Sequence, residues 1–152
     1  MNMTVLDNLR VCSHRRKVDH RWLLEMVGLW DKRDLRAKGL TFQERRLLEL
    51  SRALSVKPSL LLLDETIAGL NPAETLVMME LLRKIHKELQ ISILWIEHVM
   101  QAIMENAHRV IVLHKGKLIA QGEPRSIANN PEVIEAYLGE EYNFAEEKDV
   151  CS

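Results

Sequence analysis

The chain has 152 residues, of which 47% are hydrophobic and 28% charged. This balance predicts about one globular domain and excludes disordered, collagen-like and coiled-coil chains. The net charge of −1 excludes a strongly basic nucleic-acid binder, so we expect no nucleic-acid partner. Two cysteines, Cys12 and Cys151, are typical of a reducing compartment. No apolar run approaches the roughly 20 residues that cross a bilayer, and the first residues show no secretory signal. A cytoplasmic location is therefore expected.

The first third of the chain predicts helices. Apolar side chains recur at helical spacing over residues 4–12 and 18–30. A third helix is predicted over residues 41–55. The Thr41 hydroxyl can cap this helix, and Glu44, at the third helical position, completes a capping box.

The middle of the chain predicts a strand–helix–strand unit. Residues 59–63, a serine and four leucines, are a short apolar run typical of a strand that is buried on both faces, and residues 91–96 predict a second buried strand. Asn71, followed by a proline and two residues later by a glutamate, begins a helix that ends near residue 89. The apolar residues at helical spacing on one face of this helix are Leu76, Met79, Leu82 and Ile85. A right-handed crossover makes the two strands parallel.

The last third predicts a short helix, a hairpin and a final helix. The short helix covers about residues 99–107, and two strands at 109–114 and 117–121 flank Lys115-Gly116, a hairpin signal. Gly122-Glu123-Pro124 is expected to break the pattern. A last helix is predicted over residues 130–138, followed by a frayed acidic tail.

Polar side chains follow each of the two predicted parallel strands. Asp64 and Glu65 end the first strand, and Glu97 and His98 end the second. Ligands of open parallel sheets bind at the carboxyl ends of the strands. A carboxylate held on a buried strand can orient Mg²⁺, and a second carboxylate can polarise an attacking water molecule. The pattern therefore predicts a metal-assisted or phosphate site at this edge.

Several motifs together resemble the ATPases of ABC transporters, in particular the branch that serves branched-chain amino-acid importers. Residues 60–65 (Leu-Leu-Leu-Leu-Asp-Glu) resemble a Walker B strand with the catalytic glutamate, residues 68–71 (Ala-Gly-Leu-Asn) the D-loop, and residues 96–98 (Ile-Glu-His) the H-loop. Residues 40–54 align with the signature motif and its helix, and residues 122–139 match the end of this branch. The resemblance covers residues 3 to about 139.

The resemblance implies an α/β fold: a partial P-loop NTPase core with a parallel βαβ unit and a C-terminal hairpin, preceded by the helical signature subdomain. The expected domains are residues 1–55 (helical subdomain), 56–139 (C-terminal half of the ATPase core) and 140–152 (flexible acidic tail). By resemblance, Glu65 and His98 are catalytic and Asp64 holds the metal. The residues expected to contact the nucleotide are Thr41, Gln43, Glu44 and Asn71.

Two features depart from the family pattern. The sequence contains no Gly-x-x-x-x-Gly-Lys-Ser/Thr loop, whose backbone N–H groups and lysine hold the nucleotide phosphates. The resemblance implies that the chain begins just after the Q-loop, so ATP and Mg²⁺ are expected only if another chain supplies a segment with Walker A. Alone, the chain is expected to be inactive. In addition, Gln43 replaces a glycine of the signature motif, and a Cβ there obstructs the approach of backbone N–H groups to phosphate. Glu44 replaces a glutamine.

The resemblance also implies partners and a location. The expected partners are transmembrane permease subunits and a second ATP-binding subunit, at the inner face of the cell membrane. The alternatives are a non-catalytic remnant that binds a permease or another ATPase chain, and a stand-alone interaction module. In the family sheet the Walker A strand lies beside the H-loop strand. Without it, the edge of residues 91–96 is unpaired, and we expect the isolated chain to self-associate.

Overall fold

The computed structural model describes residues 3–13 and 17–138. These residues form two compact units, within Met1–His98 and Val99–Ser152. The domain boundary predicted at residues 55 and 56 lies inside the first unit and stays a prediction. The predicted acidic tail lies outside the described residues.

The first unit opens with three helices, as predicted. They are α1 (Val5–Cys12), α2 (His20–Met26) and α3 (Phe42–Ser55), and they pack on one another. Two single 3-10 turns, Trp30–Lys32 and Ala37–Gly39, connect α2 to α3. The helix predicted over residues 18–30 is therefore shorter in the structure, where it covers His20–Met26. The side chains of this unit before the first strand that are at most 3% exposed are Val5, Leu9, Leu23, Leu24, Leu29, Ala37, Leu40, Leu50, Ser51 and Ser55.

The strand–helix–strand unit follows. Strand β1 (Leu60–Asp64), helix α4 (Pro72–Leu89) and strand β2 (Ser92–Ile96) occur in that order. The two strands pair in parallel, with Leu60 opposite Ser92 and Asp64 opposite Ile96. This confirms the predicted parallel βαβ unit, and it places the carboxyl ends of both strands at one edge.

The prediction that both strands are buried on both faces is wrong. Leu61 and Leu63 are buried, but Leu60 is 50% and Leu62 66% exposed. The facing residues of β2, Leu94 and Ile96, are also exposed, at 50% and 61%. Successive strand residues point to opposite faces, and among the described residues this two-stranded sheet has packed side chains on one face only.

The buried face of α4 also differs from the predicted one. Leu76 is 61% exposed, whereas the buried residues of the helix are Met78, Met79, Leu81, Leu82 and Ile85. No residue of α4 before Met78 is buried. Apolar spacing in the sequence predicted one buried face along the whole helix, but it could not show that the first turns of α4 extend beyond the core.

The second unit contains helix α5 (Met100–Asn106), the hairpin of β3 (Val110–His114) and β4 (Lys117–Gly122), and helices α6 (Pro124–Ala128) and α7 (Pro131–Leu138). Its core is built on Val110, Ile127 and Val133. Lys115 and Gly116 both have positive φ angles, 48° and 77°, as a tight two-residue hairpin turn requires. Helix α6 was not predicted: Pro124 occupies its first turn, where a proline needs no N–H donor. Among the described residues no helix combines the length and the apolar character needed to cross a membrane.

Candidate active site

The carboxyl ends of β1 and β2 bring four polar residues to one edge of the sheet. Asp64 is the last residue of β1, and Glu65 follows it, while Glu97 and His98 follow β2. The Glu65 backbone N–H donates to the carbonyl of Ile96 at 2.9 Å, which fixes the first residue after β1 against the end of β2. The residues that the sequence placed at this edge are therefore neighbours in space.

Glu65 and His98 face each other. The His98 Nδ1 atom lies 3.6 Å from Glu65 Oε1, and both side chains are more than half exposed, at 66% and 59%. This is an ion-pair distance if His98 is protonated, but it exceeds a hydrogen bond. The Glu65 carboxylate is open to solvent. Asp64, also exposed, is its neighbour in sequence.

The backbone of Glu65 is unusual. Its φ angle is +46°, a left-handed conformation that costs a residue with a Cβ roughly 1–2 kcal/mol. Such strain persists where surrounding contacts impose it and is frequent at functional sites. It starts a turn in which Ala68 N–H donates to the Glu65 carbonyl at 3.2 Å and Leu70 N–H to the Ile67 carbonyl at 3.1 Å.

Asn71 ends this turn as the cap of α4. Its side chain accepts the Glu74 N–H at 3.0 Å, and its own N–H donates to the Glu74 carboxylate at 2.9 Å. The resemblance assigned Asn71 to the nucleotide. In this structure its side-chain oxygen has a helix-capping role.

Phe42 packs against the same turn from the start of α3. A Cβ on Gly69, which has a φ of +80°, would lie 3.3 Å from the Phe42 ring. Glycine at position 69 thus allows both the left-handed backbone and the close aromatic contact. No pattern in the sequence predicts a contact between Phe42 and a residue 27 positions further on.

The start of α3 holds the other predicted nucleotide contacts. The Thr41 hydroxyl accepts the Glu44 N–H at 3.2 Å, and the Glu44 carboxylate accepts the Thr41 N–H at 3.0 Å, so the predicted capping box is confirmed. Glu44 also forms an ion pair with Lys32, which the sequence did not suggest. The hydrogen bond from Lys32 and the Thr41 backbone N–H lower the pKa of Glu44. Gln43 is half-buried.

Glu97 is a site residue that the sequence placed at this edge without a role. Its Oε1 atom accepts the backbone N–H of Ile67 at 3.0 Å and the indole N–H of Trp95 at 3.1 Å. Its Oε2 atom is buried and has no hydrogen-bond partner among the described residues. The only signal in the sequence was its position directly after a strand and before His98.

The residues at the carboxyl ends of β1 and β2 and those at the start of α3 differ in how well they fit Mg²⁺ and ATP. Carboxylates at the end of β1 suit Mg²⁺, which usually takes one or two protein carboxylates and completes its shell with water and phosphate oxygens. The described residues contain no group of three or more His, Cys, Asp or Glu side chains arranged to hold a metal ion, so this edge is no all-protein metal cage. At α3, by contrast, the Glu44 carboxylate already takes the Thr41 N–H. The N–H groups of Thr41 and Glu44 are therefore not available to a phosphate.

Comparison with known proteins gives a consistent result. Residues 117–143 match the family described as branched-chain amino acid ATP-binding cassette transporter. The chain is similar to the high-affinity branched-chain amino acid transport ATP-binding protein LivG of Escherichia coli, with 36% identity over 160 residues, 91% of this chain and 63% of LivG. It is also similar to BraF of Pseudomonas aeruginosa, with 39% identity over 117 residues, 77% of this chain and 46% of BraF. The chain thus spans less than two thirds of the length of these relatives.

Solved structures show the same likeness. An ATP-binding cassette of an ABC transporter in its ADP conformation has a TM-score of 0.78 and 26% identity, over 91% of this chain and 63% of that one. A metal-chelate type ABC transporter, with a TM-score of 0.80 at 20% identity, supports the fold alone.

Fold and sequence together place the chain among the ABC ATPases, as an α/β protein with part of a P-loop NTPase core. Within that class, it corresponds to the C-terminal part of an ATP-binding subunit of the branched-chain amino-acid transporter type.

Proposed function

We propose that this chain supplies the hydrolytic groups of a composite ATP site in an ABC importer. Asp64 would hold Mg²⁺, Glu65 would take a proton from the attacking water, and His98 would contact the terminal phosphate. The observation that carries the proposal is the 3.6 Å approach of His98 Nδ1 to Glu65 Oε1 at the carboxyl edge of β1 and β2. Another segment with a Walker A loop has to complete the site, because the 152 residues contain no such motif.

The arrangement assigns each residue a distinct task. When bound, ATP would supply the phosphoryl group, and Mg²⁺ would neutralise part of the charge on its phosphates. The Glu65 side chain is more than half exposed, so a water molecule can approach the carboxylate and give a proton to it. Asp64 is held by the β1–β2 pairing, which limits its freedom to move. Rigid placement of such groups accounts for most of the catalysis in phosphoryl transfer.

The wider function follows from the relatives. LivG and BraF are named for high-affinity branched-chain amino acid transport, and we extend this substrate class to the present chain. Its partners would be transmembrane permease subunits and a second ATP-binding subunit, and its location the cytoplasmic face of the membrane.

Complementation tests the proposal. The chain is co-expressed with the part of LivG that it does not match, and Mg-ATP hydrolysis is measured for each part and for the mixture. We expect hydrolysis only from the mixture, and we expect Glu65→Gln to lower it at least about 100-fold, the usual contribution of a general base. The matched control is Glu88→Gln, an exposed glutamate on α4. Equal rates for Glu65→Gln and the unmodified chain would refute the role of Glu65.

A second candidate is a non-catalytic partner of a permease or of another ATPase chain. The capping box at the start of α3, which takes the N–H groups of Thr41 and Glu44, favours this alternative, together with Gln43 in place of glycine. It predicts that the chain binds permease subunits in the absence of nucleotide and that no Walker A segment restores hydrolysis.

A further inference from the structure

We infer that Glu97 is the positioning residue for the turn that carries Glu65. Its carboxylate joins the backbone of that turn, at Ile67, to the indole of Trp95 on β2, and so fixes Glu65 opposite His98. The significance for catalysis rests on the proposed function, whereas the positioning itself is a property of the unliganded chain.

The hydrogen bonds of Glu97 connect segments that are distant in sequence. Ile67 lies 30 residues before Glu97, and its N–H donates to Glu97 Oε1 at 3.0 Å. The same oxygen accepts the Trp95 indole N–H at 3.1 Å. Hydrogen bonds to an ionised acceptor are stronger than neutral ones. One carboxylate oxygen therefore joins the turn after β1 to the strand that precedes His98.

The turn needs such an external contact. Glu65 adopts a φ of +46°, and the hydrogen bonds from Ala68 N–H to Glu65 and from Leu70 N–H to Ile67 are local to the turn. Local bonds shape the turn, but they do not determine where it lies relative to β2. Among the described residues, two hydrogen bonds connect the turn to the end of β2: from Glu65 N–H to the Ile96 carbonyl and from Ile67 N–H to Glu97 Oε1.

Ile67 itself adds a packing anchor. Its side chain is 3% exposed, and the adjacent Thr66 is 8% exposed. The Glu97 carboxylate thus acts at the buried centre of the turn, two residues from the exposed Glu65. Since Glu97 and His98 are consecutive, a single side chain relates the positions of both catalytic candidates.

Hydrogen–deuterium exchange on the full 152-residue chain tests this inference. Glu97→Ala removes the acceptor, whereas Glu97→Gln keeps a carbonyl oxygen that can accept both N–H groups. We expect Glu97→Ala to raise the exchange rate of residues 65–71 about tenfold or more, and Glu97→Gln to restore slow exchange. Residues 42–55 of α3 provide the internal reference, and Glu88→Ala is the matched surface control.

Each outcome bears on the inference. Faster exchange confined to residues 65–71, with rescue by glutamine, supports it. Unchanged exchange there overturns it, and so does an equal increase in α3, which would indicate general loss of stability. If Glu97→Ala does not fold, Glu97→Asp replaces it. Its shorter side chain cannot reach both Ile67 and Trp95, so we expect intermediate exchange, and exchange as slow as in the unmodified chain counts against positioning.

The fluorescence of Trp95 provides a second readout. In a Trp22→Phe, Trp30→Phe background, Trp95 is the remaining tryptophan of the sequence, and its emission reports the hydrogen bond to Glu97. We expect a shift for Glu97→Ala and none for Glu97→Gln; identical spectra for all three would overturn the inference. Neither readout requires ATP. A failed complementation assay would therefore refute the proposed function without affecting the positioning role of Glu97.

Discussion

The ion pair between Lys32 and Glu44 gives the sharpest prediction about the start of α3. Glu44→Gln keeps an oxygen that can complete the capping box but removes the charge that pairs with Lys32. The chain contains a matched control, because Asn71 and Glu74 form the same capping box at the start of α4. Glu74 has no ion pair among the described residues. Comparing Glu44→Gln with Glu74→Gln therefore isolates the contribution of Lys32.

The expected magnitude is modest. Both substitutions remove a negative charge from the first turn of a helix, which costs about 0.3–1 kcal/mol. Glu44→Gln loses the ion pair as well. The Lys32 side chain is 46% and the Glu44 side chain 17% exposed, so solvent screens the pair and we expect a further cost of about 0.2–1 kcal/mol.

Urea unfolding followed by tryptophan fluorescence measures this difference. All three tryptophans lie before residue 99, so the signal reports the first compact unit. With a slope of about 2 kcal/mol per molar urea, an extra 0.6 kcal/mol, near the middle of that range, lowers the unfolding midpoint by about 0.3 M.

The dependence on pH and salt provides the control. The pKa of Glu44 is lowered in the folded chain from its ordinary value of 4.5, so its stabilising effect is present above pH 4.5 and is lost as the pH falls through the lowered pKa. The difference between the two variants should therefore be present at pH 7 and shrink in acid. It should also shrink in 1 M salt, where the screening length is about 3 Å. Equal costs at pH 7, or a difference that persists in acid, would refute the reasoning.

Three further predictions concern packing. Gly69→Ala should lower the free energy of unfolding by about 1–2 kcal/mol, because the backbone at position 69 has a positive φ. The control is Gly28→Ala, which measures the backbone cost alone, since Gly28 has a φ of +72° and no atom lies within 4 Å of an added Cβ. If neither substitution changes the free energy of unfolding, the reasoning is contradicted. Ile85→Ala, at a fully buried position of α4, should cost about 2–5 kcal/mol, whereas Leu76→Ala on the same helix, 61% exposed, should change stability by less than about 0.5 kcal/mol. The isolated chain should self-associate, and Leu62→Lys on the exposed sheet face should reduce the mass measured by light scattering; a monomeric unmodified chain would disprove this.

Local features of this protein were determined by the sequence itself. The capping box of Thr41 and Glu44 and the helix start at Asn71 were predicted, because both depend on residues within one helical turn. The hairpin turn at Lys115-Gly116 and the parallel pairing of β1 and β2 were also predicted, since turn chemistry and the crossover connection restrict the backbone to few forms. Because parallel strands have their carboxyl ends at the same edge of a sheet, the sequence also predicted that Asp64, Glu65 and His98 lie at one edge.

Only the tertiary structure decided which chemical groups meet across long separations. Lys32 reaches Glu44 over 12 residues, and Glu97 reaches Ile67 over 30. The path of the backbone between such residues depends on packing that no local pattern encodes. The exposure of Leu62 and Leu76 also depends on the tertiary structure. Apolar periodicity identifies one face of a strand or helix, but that face is buried only if another layer packs on it, and the fold determines where such a layer lies.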